Sequence, residues 1–84
     1  MATPPPAQRF FFHVHDDVIA RDVEGVELLN AEVAKAMAIS AARALAAEQV
    51  RKGTLVLHHK IEVTDETGAH VATIAFKDAV KVES

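Results

Sequence analysis

The stretch from Ala31 to Lys52 runs without a Gly or a Pro, and it constrains the fold more than any other feature. Nine of the seventeen residues from Ala31 to Ala47 are Ala, the strongest helix former. Asn30 stands before it with a side-chain oxygen suited to the orphan amides of a first turn, and Glu32 lies where the helix dipole favours negative charge. Arg51 and Lys52 complement the other end, and Gly53 fits the position just past it. The pattern predicts one helix over 31–52, about 33 Å long.

A helix of this kind needs a surface to lie on. The chain has 84 residues, enough for one domain with a thin core. Half of it is apolar and a quarter charged, a globular balance. One helical stripe is predicted to face the core: Ala34, Met37, Ala38, Ala41 and Leu45, with the aliphatic stem of Glu48. Small residues in that stripe let a helix lie close on a sheet. The rest of the circumference is also largely apolar, through Val33, Ala36, Ile39, Ala44, Ala46 and Ala47. A helix apolar beyond one stripe meets more than one neighbour.

Strands flank the helix. Arg9–His15 is aromatic and β-branched, and period two places Phe10, Phe12 and Val14 on the core face, with Phe11, His13 and His15 on the other. Asp16-Asp17 marks a turn, a short second strand is expected from Val18 to about Asp22, and Leu28-Leu29 leads into the helix. Leu55–Thr64 reads as a third strand, in which Leu55, Leu57, Ile61 and Val63 share one parity with His59. Asp65-Glu66-Thr67-Gly68 reads as a tight hairpin loop with Gly in the left-handed position. His70–Phe76 returns as a fourth strand with Ala72, Ile74 and Phe76 inward, and Val80 and Val82 extend it. The predicted architecture is α+β: a two-layer β-β-α-β-β domain over 9–82, a four-stranded antiparallel-rich sheet with one long helix on one face. The helix is expected to overhang its sheet. Met1–Gln8, with three consecutive prolines, reads as a disordered lead-in.

Composition excludes several functions. Nine Lys and Arg against twelve Asp and Glu give a net charge of −3, which argues against nucleic-acid binding. No apolar run approaches the roughly 20 residues of a membrane helix. Residues Met1–Gln8 lack the basic start and apolar core of a secretory signal, so a cytoplasmic location is the default. Without Cys there are no disulfides or thiolate metal sites. The glycines are isolated at Gly25, Gly53 and Gly68, so no phosphate loop is present. Ser40 is mid-helix and Ser84 terminal, and no acyl-transfer triad is legible. A domain this small predicts no deep pocket of the usual several hundred Å³ in one protomer. These points give no catalytic residue, no cofactor, and a non-enzymatic reading.

The five histidines are the most suggestive polar feature. His13 and His15 point the same way from one strand and could share a metal ion, with His58 joining them if the first and third strands are neighbours. No ligand motif spans these positions, and a polar-aromatic sheet face is the plainer reading. The acidic run from Asp16 to Glu32 lacks the ligand order of a calcium loop and reads as a solvated edge.

Arg-Phe-Phe-Phe-His-Val-His-Asp (Arg9–Asp16), Asp-Val-Glu-Gly-Val-Glu-Leu (Asp22–Leu28), the Ala-rich helix after Asn30, and Glu-Val-Thr-Asp-Glu-Thr-Gly (Glu62–Gly68) followed by Phe76 together resemble a bacterial family of roughly 80-residue proteins, a domain of unknown function. The resemblance implies a stand-alone cytoplasmic protein and carries no reaction, substrate or catalytic residue. At the level of fold it is also similar to small antitoxin-like partner-binding modules.

The sequence thus points first to a homodimer or protein-docking module, with Phe11, Val33, Ala36, Ile39 and Ala44 as interface candidates. A histidine-lined metal or small-ligand site at His13, His15 and His58 is the alternative. An antitoxin-like or nucleic-acid-associated regulator comes next.

Overall fold

A computed structural model describes residues 7–83. Its elements run β1 (Gln8–His15), β2 (Ile19–Ala20), β3 (Val26–Leu28), α1 (Ala31–Arg51), β4 (Lys60–Asp65), β5 (His70–Ala75) and α2 (Phe76–Ala79). All strand pairs are antiparallel, in the order β2-β1-β4-β5, and β3 pairs with β1. The fold is α+β, as predicted, with a fifth strand and a second short helix. Of the expected lead-in, residues 1–6 lie outside the described residues, while Gln8 pairs with Leu28 as the first residue of β1.

The helix ends form as their residues dictate. Asn30 Oδ1 accepts the Val33 amide at 2.9 Å, and the Lys52 amide closes the last turn on the Glu48 and Gln49 carbonyls. The buried seam of α1 is Ala34, Ala38, Ala42 and Ala46. Alanine every fourth residue brings the helix down onto Phe10, Ile61, Val63, Ile74, Phe76 and Ala79, which complete the core. The expected stripe has Ala34 and Ala38 in place but drifts off phase after them. Met37 and Leu45 are large and apolar but flank the seam, exposed by 41% and 36%, and Ala41 is exposed, whereas Ala42 and Ala46 form the seam. The helix also meets elements outside the sheet: Arg43 Nε donates to the Ala79 carbonyl of α2 at 2.7 Å, and past Ala46 Gln49 binds the 56–59 segment.

β1 has the expected parity, with Phe10, Phe12 and Val14 toward α1. Its outer edge is shared by β2 and β3. Between the pairs Val14↔Ala20 and Phe10↔Val26, β1 retreats four residues while its partner advances six. The two surplus residues form a wide bulge at 21–25. The second strand thus shrinks to Ile19–Ala20, and Leu28 belongs to a strand rather than to the approach to the helix.

Two more segments differ from the sequence reading. β4 begins only at Lys60, because Leu55–His59 is taken up by turns and by Gln49, whose Oε1 accepts the Val56 amide at 2.9 Å. The chain after β5 does not extend the strand. Phe76 donates to the His59 carbonyl at 2.8 Å and Lys77 to the Leu57 carbonyl at 3.1 Å, and the chain then coils into α2. The 65–68 turn forms as predicted: Asp65 Oδ1 accepts from the Thr67 amide, the Thr67 hydroxyl and the Ala69 amide, and Gly68 has φ +85°.

Candidate functional site

Three places gather the residues that could carry function. The first is the sheet face turned away from α1. His13 is buried there beneath the parallel ring of Phe11, with centroids 6.5 Å apart. Its Nδ1 accepts the Asp22 amide proton at 3.1 Å, so Nε2 carries the ring proton and donates to Thr64 Oγ1 at 3.0 Å. His15 Nε2 meets Glu62 Oε1 at 3.2 Å. Both are diagonal cross-strand pairs between β1 and β4. His58 stands outside β4, exposed and edge-on to His59. Among the described residues no group of three or more His, Cys, Asp or Glu is arranged to hold a metal ion.

Asp22 organises this face. Its carboxylate accepts the amides of Phe12, Glu24 and Gly25 at 3.0–3.1 Å. Partial burial alone would raise its pKa, but the three amide donors, with His13 nearby, outweigh that and hold the carboxyl below the usual Asp range. Gly25 has φ +70°, and a Cβ there would lie 2.9 Å from Arg9 Cγ, the Phe10 carbonyl oxygen and Phe11 Cε1. The Asp-x-x-Gly spacing thus has a structural cause: Asp caps the bulge and Gly lets it close on β1.

The second place is a cleft of about 470 Å³ between the turn after β1 and the end of α1. Asp16, Asp17 and Val18 form one wall, Leu45, Glu48, Gln49 and Lys52 the other, with Val14, His59 and Phe76 beneath. It is an open cleft rather than a deep cavity: the turn and the helix end project past the sheet and form its two walls. His59 is only 5% exposed. Gln49 Nε2 donates to its Nδ1 at 2.8 Å, and the Val56 amide on Gln49 Oε1 fixes which way that amide points. The ring proton of His59 therefore sits on Nε2. That atom is buried without a hydrogen-bond partner among the described residues, and Asp17 Oδ1 stands 3.6 Å away on a fully exposed side chain.

His59 was missing from the sequence candidates. Its signal was parity: it alternates with Ile61 and Val63, which are buried. His13 and His15 stand out by their spacing on one strand and His58 as a third ligand from a neighbouring strand, yet the least accommodated imidazole belongs to His59.

The third place is the outward face of α1. Val33, Ala36 and Ala44 are exposed there, while Ile39 is half-buried and packs on the core. Phe11, the remaining interface candidate, is half-buried over His13.

The family described as Domain of unknown function (DUF6894) matches residues 9–77. The chain belongs to this family. No curated protein and no solved structure matches it. The matched span contains the Asp22–Gly25 bulge, all of α1 and the His59 cleft. No helix is long and apolar enough to cross a membrane among the described residues.

Proposed function

We propose that the protein is a small, non-enzymatic interaction module of the cytoplasm that self-associates, two copies packing α1 against α1 in antiparallel fashion. The observation that carries this reading is the self-complementary character of the outward helix face. At 3.6 residues per turn, Val33, Ala36, Ser40, Ala44 and Ala47 cluster on the side of α1 opposite its buried seam. Arg43 borders this face and reaches over to the Ala79 carbonyl, while Arg51, four residues after Ala47, marks its C-terminal end and Glu32 its N-terminal end.

These residues are placed symmetrically about Ser40. Val33 mirrors Ala47, and Ala36 mirrors Ala44. A two-fold axis at Ser40 sets small apolar side chains against one another along the helix pair, as an isologous interface requires. Small side chains let the two backbones approach closely, and antiparallel helix dipoles attract. Of the exposed large apolar residues on α1, Val33 falls on this face, Met37 and Leu45 lie to one side of it, and Val50 follows Ala46 along the seam.

Sedimentation equilibrium tests the reading. The wild-type protein is expected to sediment as a dimer at micromolar concentration, and Ala44→Glu as a monomer with an unchanged circular dichroism spectrum. A wild-type monomer at about 500 µM would overturn it.

A further inference from the structure

We infer that the cleft over His59 binds a small organic cation that carries an oxygen acceptor and a compact apolar body. The first requirement comes from His59. Its ring is held on one side by Gln49 and edge-on by Phe76, with centroids 5.8 Å apart, so Nε2–H points from a fixed position. A buried N–H without an acceptor is a standing cost that an incoming carbonyl or ether oxygen would relieve.

The same geometry argues against a metal ion. A metal on Nε2 needs the ring proton on Nδ1, where it would face the NH₂ group of Gln49. That group cannot turn, because Gln49 Oε1 is committed to the Val56 amide. The site is built to donate a hydrogen bond.

The second requirement comes from charge. Asp16, Asp17 and Glu48 face Lys52 around the rim, leaving an excess of two negative charges. Asp17 Oδ1 is near His59 but too far to satisfy it, and its side chain is free to close on a ligand's ammonium or guanidinium group. The third requirement comes from Val14, Leu45 and Phe76, which give the cleft its apolar surface. The cleft uses the flank of α1 that carries Leu45, Glu48 and Lys52, away from Val33, Ala36 and Ala44, so this inference stands apart from self-association.

Leucinamide has all three features: an ammonium group, an amide carbonyl and a branched apolar chain. 4-Methylpentanamide is the same molecule without the ammonium group. Titrating ¹⁵N-labelled protein with each, followed by NMR, tests the site. Leucinamide is expected to shift the His59 Nε2 resonance and the amides of Asp17 and Gln49 saturably, and 4-methylpentanamide to bind about tenfold more weakly. Asp17→Asn is expected to weaken leucinamide alone, and His59→Phe to weaken both probes. If His59→Phe does not fold, the wild-type Nε2 shift and the Asp17→Asn comparison decide the matter. The inference is overturned by equal affinity for the two probes, by shifts centred elsewhere, or by no saturable shift at the cleft up to about 50 mM leucinamide.

Discussion

Asp22 accepts the amide proton of Phe12 at 3.1 Å, at the point on the outer edge of β1 where neither β2 nor β3 supplies a partner. One carboxylate thereby replaces a missing rung of the ladder and also closes its own loop through Glu24 and Gly25. Removing it leaves a partly buried amide unsatisfied. Asp22→Ala is expected to cost roughly 1–3 kcal/mol in urea denaturation, whereas Asp17→Ala, on a fully exposed side chain, is expected to cost almost nothing.

The same carboxylate makes stability depend on pH. Its pKa is lower in the folded protein than in the unfolded chain. Its contribution is therefore complete above about pH 4 and is lost as pH falls through the lower folded value. Chemical denaturation from pH 6 down to pH 2 is expected to show a flatter acid limb for Asp22→Asn than for the wild type. Identical limbs would remove Asp22 from the acid response, leaving Asp65, which Thr67 also holds low.

Gly25 and Gly68 both have positive φ, but only Gly25 lacks room for a side chain. Gly68→Ala carries the backbone cost alone, about 1 kcal/mol. Gly25→Ala must also displace Arg9, Phe11 and the Phe10 carbonyl, and is expected to be clearly the more destabilising in thermal unfolding.

The core separates residues that look alike in sequence. Phe10 is 1% exposed and Phe12 only half-buried, so Phe10→Ala is expected to cost about 3–5 kcal/mol and Phe12→Ala less. On α1, Ala38→Leu overpacks the seam and is expected to cost about 1–3 kcal/mol. Ala36→Leu, on the outward face, is expected to leave the unfolding of the monomer almost unchanged.

Much of this was legible in the residues. Asn30 and Gly53 bracketed the helix, period two gave the faces of β1, and Asp65 with Gly68 announced the hairpin. The phase of the helix was not legible, because alanine on nearly every side flattens the apolar contrast and Met37 and Leu45 then dominate the eye. Strand β3 was hidden because a two-residue bulge interrupts its pairing with β1, and no local pattern marks such a slip. The start of β4 was obscured by Gln49, a side chain from α1 that captures the Val56 amide. The His59 cleft could not be read at all without knowing that the end of α1 and the turn after β1 project on the same side.

Antiparallel self-association through α1 is tested most directly by single-cysteine cross-linking, since the chain has no cysteine of its own. In an antiparallel pair, Val33 of one copy faces Ala47 of the other, while the two Val33 side chains lie about 21 Å apart along the helix. Mixing Val33→Cys with Ala47→Cys protein under mild oxidation is expected to give a disulfide-linked heterodimer, with little linkage when Val33→Cys is oxidised alone. Linkage of Val33→Cys to itself with none in the mixture, or no linkage in either sample, would contradict the account.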